Sequence, residues 1–238
     1  MSIVTYETQG SVAVITLNNG ENKQNLDFAR AMLGALDQAE ADKKVKALVI
    51  TAVDEKNWSQ GVDLNFLNSA MKEQRFDDMK AFMYAMNEVF SRLLLAPFPV
   101  IASITGHAFG NGAMLACACD FRFMRSDRGY FCFPEVDISI PFMPGMIAFV
   151  KKALPYPFFN DLKLTGRRAT AEELATQGVV QAACPDAEAT FAAAMEFAAT
   201  FNKARGIFGE HKKRLHSHII QVMGDEDKPL IEALKLMA

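Results

Sequence analysis

Residues 104–125 read ITGHAFGNGAMLACACDFRFMR, a strand-like segment followed by a glycine-rich turn and an apolar segment. A buried strand is predicted at 100–104, and Gly110 and Gly112 flank Asn111 before an apolar helix predicted at 113–119. The first N–H groups of a helix lack intrahelical acceptors and lie at its electropositive end, which suits a developing oxyanion or a phosphate. The P-loop pattern is absent, because no Gly-Lys-Ser/Thr ending follows. A close helix–strand contact is the alternative explanation of the glycines.

A second glycine-containing segment, SQGVDL at residues 59–64, follows an apolar run at 47–53 that predicts a strand covered on both faces. Gly61 lets the backbone turn without a Cβ clash, so that the next N–H is free to point outward. The alternative is a plain strand-to-helix turn with Asp63 near the start of the helix.

A third segment, FPEVDISIPFMPG at residues 133–145, places Glu135 among apolar residues. Burial disfavours a charged carboxylate and raises its pKa, which suits a group that takes and returns a proton. The alternatives are a solvated turn carboxylate or a partner for a nearby arginine. Asp137, two residues further on, is then the solvated acid of the pair.

The remaining chain alternates strand and helix patterns, which predicts an α/β fold. Strands are predicted at 3–8 and 11–17, and the spacing of Phe28, Met32 and Leu36 predicts a helix that starts near residue 27. A longer helix is predicted at 76–95, further strands at 121–124 and 130–133, and a capping box at 170–173. The chain after residue 187 reads as helices broken at Gly206, Gly209 and Gly224.

The composition of the chain limits the class of protein it can be. The chain has 238 residues, 50% hydrophobic and 22% charged, with a net charge of -3, which is typical of a soluble globular protein and argues against nucleic acid as a partner. No apolar run approaches the ~20 residues of a membrane helix. The N-terminal MSIVTYETQG lacks signal-peptide features, and the C-terminal KLMA is not a peroxisomal address. We therefore expect a cytoplasmic protein that does not bind a membrane.

Two groups of residues, the cysteines and a basic stretch, are candidates for a metal or ligand site. The four cysteines lack paired metal-ligand spacing, so reduced thiols and no metal site are expected. The basic stretch 211–218 is interpreted as a solvated helix face, and His216 and His218 lack the acidic or cysteine partners of a metal site.

Together with LTGRRATAEELATQGVVQAA at residues 164–183, the three segments above resemble, in this order, the crotonase (enoyl-CoA hydratase/isomerase) family. The resemblance implies a spiral of ββα turns over residues 1–186 and a C-terminal helical oligomerisation region over 187–238. It also implies a homotrimer or hexamer. The substrate would be an acyl-CoA thioester, with no cofactor beyond the coenzyme A of that substrate.

By the same resemblance, the backbone amides of Val62 and Asn111 form an oxyanion hole for the thioester carbonyl, although the second position is commonly glycine. Hydratases of the family carry a glutamate where this chain has Met114, and a second one at the position of Glu135. A single carboxylate at Glu135 implies a Δ3,Δ2-enoyl-CoA isomerase. Open alternatives are a hydratase or other acyl-CoA lyase or hydrolase of the same fold, with Asp63 or Asp137 as the second acid, and a non-catalytic acyl-CoA-binding protein.

Substrate contacts are assigned by the same resemblance. Coenzyme A is expected near residues 22–26 and after Gly61, with Lys23 and Lys56 as phosphate contacts. Apolar side chains near Glu135 are expected to exclude water from the dienolate. The predicted substrate-binding residues are Lys23, Leu26, Gln60, Gly61, Asp63, Leu64, Gly110, Met114, Phe133, Ile140 and Phe142.

Overall fold

The computed structural model describes residues 2–235, so the last three residues of the predicted C-terminal region, with most of the KLMA sequence, lie outside the described part. The strands are β1 Val4–Gln9, β2 Val12–Leu17, β3 Lys23–Gln24, β4 Ala47–Ala52, β5 Asn57–Ser59, β6 Gly61–Val62, β7 Val100–Ile104, β8 His107–Phe109, β9 Phe121–Arg125, β10 Phe131–Cys132, β11 Arg168–Ala169 and β12 Ala182–Cys184. The α-helices are α1 Leu26–Ala41, α2 Leu64–Lys72, α3 Phe76–Leu95, α4 Asn111–Ala118, α5 Pro144–Ala153, α6 Tyr156–Thr165, α7 Ala171–Thr176, α8 Ala187–Ala199, α9 Arg205–Val222 and α10 Lys228–Glu232.

Two main sheets form the core of the fold. The larger has six strands in the order β1-β2-β4-β7-β9-β12, and the smaller has four in the order β11-β10-β8-β5. Only β1–β2 and β10–β11 are antiparallel within these sheets. The central strands β4 and β7 are buried almost throughout, as expected for parallel strands covered on both faces.

Successive chain segments repeat one pattern. A strand of the large sheet is followed by a strand of the small sheet and then by a helix, as in β4-β5-α2, β7-β8-α4 and β9-β10-α5. This repeat confirms the predicted ββα spiral. Because each small-sheet strand leads into a helix, the turns between them gather at one edge of the small sheet, where the site lies.

Some predicted element boundaries were wrong. Helix α4 begins at Asn111 rather than at residue 113, because Gly110 at φ 53° already makes the turn out of β8. Gly206 and Gly209 lie inside α9 and do not break it. A Cβ at Gly209 would lie 3.3 Å from Pro97, so this glycine lets α9 pack closely. Gly224 lies in a π-helical turn, Met223–Asp227, rather than at a break.

The basic stretch at 211–218 was also misread in part. Lys212, His216 and Ile219 are spaced along one face of α9 and are buried, whereas Lys213 and Arg214 are exposed. The number of basic residues in the stretch does not distinguish the buried face of the helix from the exposed one, whereas their helical spacing does. The face with Lys212 therefore packs on the core.

Of the two hydrogen bonds of the predicted capping box at 170–173, only the one accepted by the Thr170 side chain forms. The Thr170 hydroxyl accepts a hydrogen bond from the Glu173 N–H at 3.3 Å, while the Glu173 carboxylate pairs with Arg167 at 2.6 Å.

The helices after residue 187 pack on the same chain: α8 covers the large sheet, and α9 and α10 contact α3. Their role in oligomerisation stays a prediction. Among residues 2–235, no helix is long and apolar enough to span a membrane.

Candidate active site

A deep cavity of about 630 Å³ opens beside the first turn of α4. Seven methionines among residues 2–235 contribute to its wall, and most other lining side chains there are also apolar. The polar or charged lining residues in the described part of the chain are Asn68, Asn111, Glu135 and Lys235. A cavity of this size with few polar groups is typical of a small-molecule site.

Two backbone amides lie at the edge of this cavity. The Asp63 N–H donates to the Gln24 carbonyl at 2.8 Å, and the Gly61 N–H faces the Ser59 hydroxyl at 3.3 Å. Since successive amides of a strand point in opposite directions, the Val62 N–H points away from β3. Asn111 is the first residue of α4, so its N–H has no acceptor in the helix.

Glycines bring these two amides together. A Cβ at Gly61 would lie 2.6 Å from the Phe109 oxygen and 2.9 Å from the Asn111 nitrogen. A Cβ at Gly112 would lie 2.4 Å from the Ser59 oxygen. Both contacts are too short for any side chain, so α4 rests directly on the β5–β6 backbone. The close helix–strand contact weighed from sequence is therefore present, and Val62 and Asn111 both line the cavity, while the role of their amides stays a prediction.

A buried polar network holds this arrangement, and sequence reasoning missed its central residue. Gln24 on β3 accepts a 2.6 Å hydrogen bond from the Asn111 side-chain amide and donates to the Ser59 hydroxyl at 3.1 Å. Gln24 is fully buried. It lies 87 residues from Asn111 in the chain, and a polar residue in a two-residue strand gives no local signal of such a partner.

Glu135 lies on the cavity wall in a 3₁₀ turn, Pro134–Val136. Its side chain is buried, and Oε2 has no hydrogen-bond partner among the described residues. Desolvation by burial raises its pKa from 4.5 to about 7, against weaker lowering by a backbone hydrogen bond and by Lys163. A Cβ at Gly110 would lie 3.1 Å from Oε1, so the acid is adjacent to the start of α4.

Four of the predicted apolar contacts line the cavity: Leu64, Met114, Ile140 and Phe142. Phe133 does not line it and this prediction was wrong. It is fully buried behind the wall, with its ring 5.4 Å from Phe142 in an edge-to-face contact. Strand alternation near β10 turns Phe133 into the core, where it supports Phe142.

Comparison with known proteins identifies the family of this chain. The sequence profile described as "Enoyl-CoA hydratase/isomerase" matches residues 7–224. The chain belongs to this family. Its members act on acyl-CoA thioesters, and the resemblance to the crotonase family is confirmed.

Relatives within the family carry both activities in their names. Enoyl-CoA delta isomerase 2, peroxisomal, from Arabidopsis thaliana is 30% identical over 187 residues, 77% of this chain and 78% of the relative. A short-chain-enoyl-CoA hydratase from Clostridium acetobutylicum is 32% identical over 179 residues, 74% of this chain and 67% of the relative. A solved enoyl-CoA isomerase from Mycobacterium tuberculosis superposes with a TM-score of 0.85 at 24% identity, covering 98% of both chains, and shows the shared fold.

The predicted coenzyme A contacts lie outside the cavity wall. Lys23 is half-buried and pairs with Glu21 at 2.6 Å, and Lys56 is exposed just before β5. Leu26 opens α1 and packs against the core. The Gln60 side chain binds Asn57. Their role in binding coenzyme A stays a prediction.

Neither of the two aspartates considered as a second acid faces the cavity. The Asp63 carboxylate caps α2, accepting the Asn65 and Phe66 N–H groups at 3.0 and 3.3 Å. Asp137 is exposed, and its carboxylate lies against Gly166, where an added Cβ would be 2.4 Å from Oδ2. Glu135 is therefore the single carboxylate that lines the cavity among the described residues.

Proposed function

We propose that this protein is a Δ3,Δ2-enoyl-CoA isomerase, which moves a double bond of an enoyl-CoA thioester from position 3 to position 2. One observation carries the proposal: within residues 2–235, Glu135 is the single buried carboxylate that lines the cavity, and Met114 occupies the place of a second acid. A group with a pKa of about 7 can both accept and return a proton near neutral pH.

The chemistry follows from the placement of these groups. The thioester oxygen accepts hydrogen bonds from the amides of Val62 and Asn111. Glu135 removes a proton from C2, and the electron pair of that C–H bond spreads over the diene and the thioester oxygen. The two amides stabilise this dienolate, and one such donor is typically worth ~3–4 kcal/mol. Glu135 then returns the proton to C4, so that the double bond becomes conjugated with the carbonyl.

Hydration is disfavoured by the same wall. Adding water across the double bond requires a group that deprotonates the water and one that protonates the neighbouring carbon. Methionine has no proton to exchange, and both candidate aspartates face away from the cavity. The apolar wall around Met114, Ile140 and Phe142 also keeps water from the dienolate.

The test is conversion of 3-hexenoyl-CoA to trans-2-hexenoyl-CoA, followed by chromatography. Wild-type protein is expected to give the 2-enoyl product, and Glu135→Gln to lower kcat at least about 1000-fold while it still binds coenzyme A. Asp137→Asn, a neighbouring exposed acid, is the matched control and keeps wild-type rates. Substantial 3-hydroxyacyl-CoA from a 2-enoyl substrate would identify a hydratase instead, and binding with no turnover of any acyl-CoA would identify a non-catalytic protein.

Three further properties are proposed with this function. Coenzyme A takes part only as a portion of the substrate, the protein forms a homotrimer or hexamer, and it is cytoplasmic. Relatives include a peroxisomal and a mitochondrial enzyme, so the compartment needs a direct measurement by fluorescence microscopy of the tagged protein. Sedimentation analysis of the purified chain measures the assembly.

A further inference from the structure

Two helices present matching stripes to the cavity. The lining residues are spaced i, i+3, i+4 and i+7 on each helix: Leu64, Leu67, Asn68 and Met71 on α2, and Met79, Phe82, Met83 and Met86 on α3. Each stripe runs two helical turns, about 10 Å. The two stripes therefore give this side of the cavity an apolar wall about 10 Å long, which suits an elongated ligand.

The walls exclude the polar part of an acyl-CoA. Beyond Asn111 and Glu135, the lining contributed by the described residues is apolar except for Asn68 and Lys235. A nucleotide with several phosphates would lack partners on these walls. The C-terminal segment of the same chain completes the wall through Leu230 and Lys235. The acyl tail is thus the portion of the substrate that fits.

We infer that this cavity selects long-chain enoyl-CoA, with acyl chains of about ten carbons or more, an inference that rests on the proposed function. A water-sized group takes up about 30 Å³ in a liquid, so 630 Å³ has room for ~20 groups the size of a methylene. The thioester and the reacting carbons use only a few of them. A short acyl chain would leave most of the apolar wall without contacts.

The methionines define how the tail is held. Met83 and Met86 are almost fully buried on α3, so they form the inner wall rather than a mobile rim. Unbranched thioether side chains adapt to irregular shapes, which accommodates chains of different length and bend. Each methylene that gains contact with this wall is expected to strengthen binding about fourfold.

The first experiment needs no variant. Dissociation constants of hexanoyl-, decanoyl- and dodecanoyl-CoA for the wild-type chain are measured by calorimetry, and kcat/KM is measured for the matching 3-enoyl-CoA substrates. Binding is expected to tighten at least 100-fold from hexanoyl to dodecanoyl, with kcat/KM rising in parallel. Equal affinity across the series would overturn the inference and leave the isomerase proposal intact. Length-dependent binding without any turnover would overturn the isomerase proposal and leave the inference intact.

A second experiment locates the tail. Met83→Trp fills the space between the stripes, and the ratio of dodecanoyl to hexanoyl affinity is expected to fall at least tenfold. Met195→Trp places the same residue on α8, which packs on the large sheet away from the cavity, and keeps the wild-type ratio. An unchanged ratio in Met83→Trp, with circular dichroism like that of the wild type, would contradict the assignment.

Discussion

The two ends of helix α4 are built in opposite ways. At the N-terminal end, Gly110 offers no side-chain cap, and the first amides are left without acceptors in the helix. At the C-terminal end, Arg122 donates to the carbonyls of Ala116 and Cys119 at 3.2 and 2.8 Å, and Lys152 donates to Cys119 at 2.8 Å. The N-terminal end lies at a cavity, and the C-terminal end is closed by the buried Arg122 and the half-buried Lys152.

The acids near the two ends differ in the same way. Asp120 accepts from Lys212 at 2.6 Å and from the Val100 N–H at 2.8 Å. Glu135 keeps Oε2 without a partner in the described part of the chain, and burial raises its pKa to about 7. Buried charges are normally paired, and an unpaired one is costly. We propose from this contrast that the C-terminal end of α4 serves stability and the N-terminal end serves the isomerase chemistry.

Removing the Asn111 amide at the N-terminal end of α4 is expected to have the largest effect on activity. Proline is tolerated at the first position of a helix, where its missing N–H has no helical partner to lose. Asn111→Pro therefore deletes the proposed oxyanion donor and is expected to lower kcat for 3-enoyl-CoA isomerisation by about 100- to 1000-fold. Stopped-flow absorbance of the conjugated product measures the loss.

Asn111→Gly is the matched control for that variant. It keeps the backbone N–H but removes the side chain that binds Gln24, so it separates the amide from the polar network. It is expected to lose less than tenfold in kcat. Equal losses in the two variants would show that the side chain, rather than the amide, is the important group.

The closed end is tested by removing its cation. Lys212→Met leaves the Asp120 carboxylate buried without its ion-pair partner and is expected to lower the free energy of unfolding by about 3 kcal/mol. Lys213→Met changes the exposed neighbour and is expected to stay within ~0.5 kcal/mol of wild type. Urea titration measures both. A large change in kcat for folded Lys212→Met would argue against the division of roles between the two ends.

The unpaired acid should make stability depend on pH. Its folded pKa of about 7 lies above the reference value of 4.5, so the folded state holds this proton more tightly. The contribution of Glu135 to stability therefore falls by about 2–3 kcal/mol as pH rises from 4.5 to 7. Glu135→Gln is expected to be more stable than wild type by that amount at pH 8, and equal to it at pH 4. Thermal unfolding across this range measures the difference, and a pH-independent difference contradicts an unpaired buried acid.

Sequence predicted the open end of α4 well and the closed end poorly. Glycines beside Asn111 and an acid in an apolar segment are local signals, and the structure brings both to one cavity. Lys212 meets Asp120 across 92 residues, and its basic neighbours hid the burial of one helix face. Local patterns report turns and periodicity, whereas contacts between distant elements follow only from the assembled fold.

The same limit explains what was missed at the cavity. The methionines of α2 and α3 are spaced for helix packing, and nothing in that spacing separates a core from a ligand cavity. Phe133 was assigned to the wall from its closeness to Glu135 in sequence, but it packs one layer behind. The family resemblance of three distant segments predicted the site, and side-chain direction decided which residues line it.

The smallest effect tests another helix that starts near the cavity. Helix α2 begins with its amides satisfied by the Asp63 carboxylate, unlike the uncapped start of α4. Asp63→Ala is expected to lower the free energy of unfolding by about 1 kcal/mol, the usual effect of losing a cap, with kcat for isomerisation changed less than tenfold. Asp63→Asn, which can still accept these hydrogen bonds, should recover most of the stability. If both variants instead lost kcat 100-fold at unchanged stability, Asp63 would be a second catalytic acid. In that case the Asp63 carboxylate would have to release the Asn65 and Phe66 amides and turn towards the substrate. The start of α2 would then take part in the reaction.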